Sequence, residues 1–123
     1  ADAANYGAER FLAVGKGFTI PVSFLTRDAF DYVALGHVHK HQILCENPPI
    51  VYPGSIERVD FSEEQEDKGF VLINLDRGSA EVEFCPLPVR SFLTISVDLS
   101  EADDPQAALL KAIQPDQVQD AVV

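Results

Sequence analysis

The run Asp31-Tyr-Val-Ala-Leu35, closed by Gly36, constrains the fold of this chain more than any other segment. A short, continuous, mostly apolar run fits a strand buried on both faces, as in a parallel or mixed sheet, better than an amphipathic edge strand. Directly behind it, all three histidines fall within five positions, in Gly36-His-Val-His-Lys-His41. In open α/β sheets ligand sites lie beyond the carboxyl ends of such strands, so these imidazoles stand where a site is expected. Histidines at i and i+2 in extended chain project to the same side and can reach one metal ion or two neighbouring ones. Gly36 lets the backbone turn sharply there, and neutral imidazole is the commonest metal ligand, suited to Zn, Mn, Fe and Ni. The plainer reading is an exposed His-rich turn that binds metal adventitiously, since two ligands do not make a site. Spacing alone leaves both open.

The rest of the composition narrows the setting. A length of 123 residues suits one domain, and 46% apolar residues can supply a core. No apolar run approaches the roughly 20 residues of a membrane span, and no charged segment followed by an apolar one marks a secretory signal in the first 30 residues. Cys45 and Cys85 are too sparse for a disulfide scaffold and read as structural thiols in a reducing, cytoplasmic protein. With 9 Lys+Arg against 20 Asp+Glu, the net charge is −11. A domain that grips nucleic acid by charge alone carries a basic face instead. Phosphate chemistry would therefore run through metal ions, or through polypeptide outside this chain.

Local patterns predict an irregular start with a brief strand near Phe18–Ile20, then one or two helical turns over Val22–Ala29. Residues 36–49 read as polar, irregular chain, and Ile50-Val-Tyr52 as a second short strand stopped by Pro53-Gly54. Five acids and no base over residues 60–67 predict a solvated loop. Gly69–Leu75 and Ala80–Leu87 flank Asp76-Arg-Gly-Ser79, a hairpin signal, and apolar residues on both faces predict a hairpin that is largely covered. Pro86 and Pro88 mark a boundary. Beyond it come an alternating strand over Ser91–Leu99, a helix capped by Asp104-Pro105 and continuing over Ala107–Ile113, and a strand beginning near Val118–Val123.

Several blocks point further when taken together: Phe30-Asp-Tyr-Val-Ala-Leu-Gly-His-Val-His-Lys40, Val51-Tyr-Pro-Gly-Ser55, Asp60-Phe-Ser-Glu63 and Lys68-Gly-Phe-Val71. In this order they resemble the late part of the SbcD nuclease family, within the calcineurin-like metallophosphoesterases, and the likeness extends to Gly7-Ala-Glu-Arg10 and Pro86-Leu-Pro88. The resemblance implies an α/β protein, α+β within this stretch. Residues 1–88 would be the C-terminal portion of a strand-rich metallophosphoesterase β-sandwich, and residues 89–123 the start of a small α+β capping, DNA-recognition module. It implies two divalent metal ions, Mn2+ by preference, with His37 and His39 as ligands, one to each. Two cations roughly 4 Å apart activate a water and stabilise the oxygens of an in-line phosphodiester displacement.

In the family pattern His41 has no metal role; it reads either as an exposed loop residue or, with Tyr52, Gly54 and Ser55, as part of a substrate-side loop. The plainer reading of that loop is a Pro-Gly turn in which Ser55 bonds the backbone, with Glu57, Arg58 and Asp60 tying it down by ion pairs. The family's other ligand motifs, and its catalytic histidine, have no counterpart here, so this stretch alone is expected to be inactive. The activity implied for the parent polypeptide is an Mn2+-dependent DNA exonuclease and endonuclease. It would act as a homodimer with an SbcC-type ATPase on double-strand breaks and hairpins, away from membranes. The rivals are a metallophosphoesterase acting on nucleotides or phosphoproteins, and a non-catalytic folded fragment or assembly surface. The strand at 31–35, without its family neighbours, is expected to drive self-association.

Overall fold

From Ile20 onward, the part that the structure describes (a computed structural model, residues 20–123), the chain begins with one helical turn, α1 (Val22–Leu25). It continues through β1 (Val33–Ala34), β2 (Gln42–Glu46), β3 (Pro49–Tyr52) and a 3₁₀ turn at Phe61–Glu63. Two long strands follow, β4 (Gly69–Asp76) and β5 (Ser79–Pro86), then α2 (Pro105–Ala112) and α3 (Pro115–Val118). The Gly7-Ala-Glu-Arg10 block and most of the strand expected near Phe18–Ile20 lie outside the described residues. The architecture is mixed α+β, dominated by strands.

The first sheet has the order β1-β3-β2. β3 is its middle strand, parallel to β1 with Val33 opposite Ile50, and antiparallel to β2. All four β3 residues are buried, as expected of a continuous apolar run rich in β-branched and aromatic side chains. The core gathers around it: Leu25, Val38, Ile50, Val51 and Tyr52. The double coverage expected of Asp31–Leu35 thus belongs to β3. β1 is shortened to Val33–Ala34, half-buried and then exposed, and among the described residues it stands at the sheet edge. Leu35 extends the ladder by one bond, its N–H donating to the Val51 carbonyl at 2.8 Å.

Gln42–Glu46 forms a strand where irregular chain was expected. Its register slips between Ile43 and Cys45, so that Leu44 is the extra residue of a bulge. That bulge and the polar ends of the strand hide the period-two pattern. The acidic stretch is also more ordered than expected. Asp60 caps the 3₁₀ turn, its carboxylate accepting the Ser62 N–H at 2.8 Å, and Glu63 within the turn is buried.

β4 and β5 pair over their whole length, from Gly69 opposite Pro86 to Asp76 opposite Ser79. The two-residue turn Arg77-Gly78 matches the sequence signal, with Gly78 at φ +81° supplying the left-handed conformation. The covering expected on both faces is found on one. Val71 opposite Phe84 and Ile73 opposite Val82 are half-buried, whereas Phe70 and Leu72 on the other face are exposed, as is Leu75 at the turn end of the covered face.

Further on, Asp104 caps α2 as its sequence predicts, Oδ1 accepting the Ala107 N–H at 3.0 Å with Pro105 at the first turn. Ser91–Leu99 keeps its alternation, Leu93, Ile95, Val97 and Leu99 being half-buried and Thr94, Ser96 and Asp98 exposed. It forms no extended ladder: among the described residues Phe92 makes a single parallel bridge to Val122. Val118 ends α3 rather than opening a strand, because Pro115 starts a helical turn three residues earlier. Among the described residues no helix is long and apolar enough to cross a membrane.

Candidate functional site

Because β1 and β3 are parallel, the chain leaves both at the same end of the sheet. One exit carries His37, His39 and His41; the other carries Pro53-Gly54-Ser55. The two loops are joined where the Ser55 N–H donates to the His39 carbonyl at 2.9 Å. Gly54 permits the approach. It sits at φ +87°, and a Cβ there would lie 2.8 Å from both the His39 carbonyl oxygen and the His41 nitrogen. Val38 is buried between the first two histidines and anchors their loop in the core. The sharp turn expected at Gly36 comes one residue later, where His37 takes φ +80°, an uncommon conformation for a residue with a side chain. His37 itself is exposed.

His39 is held from below. Its Nδ1 lies 2.8 Å from Glu63 Oε1, with Glu63 only 1% exposed. Glu63 Oε2 accepts from Lys68 Nζ at 2.8 Å and from the Val59 N–H at 3.1 Å. Lys68, equally buried, donates further to Glu66 Oε2 at 2.9 Å and to the His39 carbonyl at 3.3 Å. Burial pushes the Glu63 carboxyl up, but the hydrogen bonds from Lys68, His39 and Val59, with the Lys68 charge, outweigh it and hold the group below its ordinary value. Two bonds from Ser62 hold Asp60 low in the same way.

Among the described residues, those expected to tie down the second loop do so through the backbone rather than by ion pairs. Arg58 donates to the carbonyls of Glu63, Glu66 and Arg90 at 3.1, 2.9 and 2.9 Å. Glu57 accepts the Arg58 N–H, and Ser55 Oγ donates to the Glu57 carbonyl at 2.7 Å. Tyr52 is buried in β3, and its carbonyl lies 3.0 Å from His41 Nδ1. The His41 ring stacks on Phe84 with centroids 4.2 Å apart. It is therefore a half-buried packing residue, not an exposed one. Cys45 and Cys85 are free, half-buried thiols.

The structure thus draws His39, Gly54 and Ser55 together, and adds Glu63, which charge patterning had placed in a solvated loop, and Lys68, to which the sequence had assigned no role. Among the described residues no three His, Cys, Asp or Glu side chains cluster closely enough to hold a metal ion. The donor chemistry nonetheless fits a divalent cation, because a carboxylate on the second ring nitrogen is the usual companion of a metal-bound imidazole. Further donors would have to come from outside the described residues.

No family model matches the chain. Over 91 residues, 73% of its length, it is 34% identical to the uncharacterized metallophosphoesterase YhaO of Bacillus subtilis (strain 168). It spans 22% of that relative, about a fifth of the longer protein.

Proposed function

With the metallophosphoesterase superfamily supported by that likeness, we propose that this chain contributes His37 and His39 as metal ligands to a phosphoester-hydrolysing site. The observation that carries this reading is His39, which follows a parallel strand and has a buried carboxylate on Nδ1. Divalent cations, when bound, supply Lewis acidity and lower the pKa of water. The chain's own residues do the positioning. Gly54 and Ser55 set the backbone of the histidine loop, and Glu63 and Lys68 grip its ring and carbonyl.

The finer reading is an Mn2+-dependent DNA exonuclease and endonuclease of the SbcD type, cytoplasmic, homodimeric and coupled to an SbcC-type ATPase. Its support is the order and spacing of the Gly-His-x-His and Tyr-Pro-Gly-Ser blocks; the likeness to YhaO reaches the superfamily and no further. A net charge of −11 means that this segment does not hold DNA by charge. The test compares linear duplex DNA with a small phosphodiester, using the full-length protein and Mn2+. Cleavage of both, abolished by His39→Ala, is the expected result. Cleavage of the small ester alone redirects the function to nucleotides or phosphoproteins. Undiminished cleavage by His39→Ala overturns the ligand assignment.

A further inference from the structure

Two fully buried, oppositely charged side chains meet directly behind the histidine loop, and their bonds are divided in an informative way. Charged residues are almost never fully buried unless paired, and Glu63 and Lys68 are each 1% exposed. The three ammonium protons of Lys68 have three acceptors: Glu63 Oε2, Glu66 Oε2 and the His39 carbonyl. Glu63 Oε2 receives both Lys68 and the Val59 N–H. Oε1 faces His39 Nδ1 at 2.8 Å. An ionised carboxylate only accepts hydrogen bonds, so the proton of this contact belongs to Nδ1. In a neutral imidazole the lone pair then resides on Nε2.

We propose that Glu63, held in place by Lys68, is a positioning residue that fixes the Nδ1–H tautomer of His39 and so makes Nε2 the metal-binding nitrogen. Lys68 grips the carbonyl of the same residue, so ring and backbone are oriented by one buried pair. This rests on His39 being a metal ligand, as proposed above. A pair that merely staples the 60s segment to the sheet would contribute packing and leave the tautomer unspecified.

Glu63→Gln separates the two roles. Its amide oxygen must take over the Lys68 and Val59 donors, which turns the NH2 group toward the ring. His39 Nδ1 then has to accept, and the proton moves to Nε2. The measurement is 15N NMR of histidine-labelled, metal-free full-length protein near pH 8.5, above the ordinary imidazole range at about 6.5. The His39 signals are assigned by their loss in His39→Ala. Calorimetric titration with Mn2+ alone runs in parallel.

The wild type should show Nδ1–H. Glu63→Gln should show Nε2–H and lose about 10- to 100-fold in Mn2+ affinity, and Glu63→Asp, which keeps a carboxylate, should retain the wild-type tautomer. An Nε2–H tautomer in the wild type overturns the proposal without any variant. So does a Glu63→Gln protein that loses affinity without switching tautomer, or switches without losing affinity. If His39→Ala leaves Mn2+ affinity unchanged, the ligand assignment itself has failed. If His39→Ala weakens binding while Glu63→Gln matches the wild type in both readouts, the positioning role alone has failed.

Discussion

Lys68 is the residue on which most of the local order depends, since its ammonium joins Glu63, Glu66 and the His39 backbone in one buried cluster. Lys68→Met keeps much of the volume and strands the Glu63 carboxylate without its cation. Breaking a buried pair from one side costs about 3–5 kcal/mol, so urea unfolding of the variant should shift by that order; a loss below about 1 kcal/mol would mean that water or another donor replaces the ammonium. None of this was legible locally. Five acids among eight residues without a base look solvated, and one hydrogen-bond partner of the buried Glu63 is His39, 24 positions away. The glycines separate in a similar way. Gly54→Ala meets two backbone atoms at 2.8 Å and a left-handed φ, a conformation that alone costs roughly 1–2 kcal/mol for a residue with a side chain. Gly36→Ala meets nothing within 4 Å and should stay within about 0.5 kcal/mol of wild type. Equal destabilisation by the two, measured in parallel by urea denaturation, would contradict the loop packing described above.

At the scale of elements, the hairpin β4–β5 and the cap of α2 were readable because each is specified by adjacent residues: Asp76-Arg-Gly-Ser79 for the turn and Asp104-Pro105 for the helix start. β2 was not, because a bulge at Leu44 breaks the alternation on which recognition depends. The strand expected over Ser91–Leu99 retains its pattern of exposure but makes only the bridge from Phe92 to Val122, since alternation specifies faces and not partners. The 3₁₀ segment carries a pH dependence of definite sign. Glu63 and Asp60 both have folded-state values below their ordinary ones. The stability they contribute is therefore complete above the unfolded carboxylate range and is lost as pH falls through the folded values. Amide exchange of residues 61–66 should rise on acidification below about pH 4.3, ahead of the β4–β5 hairpin. Uniform exchange across both elements in acid would show that the carboxylates do not hold this segment.

Among the described residues, the core is narrow. Leu25, Val38, Ile50, Val51 and Tyr52 are buried, while Phe24, Phe70, Leu72 and Leu110 are among the large apolar side chains left exposed. Among the described residues β1 pairs along one edge only, and burying a large side chain is worth about 1.5–3 kcal/mol. The charge of −11 opposes association, but salt screens it beyond about 8–10 Å. The 123-residue chain should therefore self-associate at micromolar concentration in physiological salt, with protection of the Ala34 amide rising as concentration rises. A monomer with that amide fully protected would mean that the edge is already covered. Gly36-His-Val-His39 and Pro53-Gly-Ser55 stand out in sequence because two parallel strands deliver them to one place, whereas the carboxylate and ammonium behind His39 depend on tertiary burial. The central claim, that His37 and His39 are ligands of divalent cations, is tested most directly by anomalous diffraction at the manganese edge from crystals of the full-length protein grown with Mn2+. The account predicts manganese coordinated directly by the imidazoles of His37 and His39, with Glu63 on Nδ1 of His39. Manganese bound elsewhere, with neither imidazole in its coordination sphere, would contradict it.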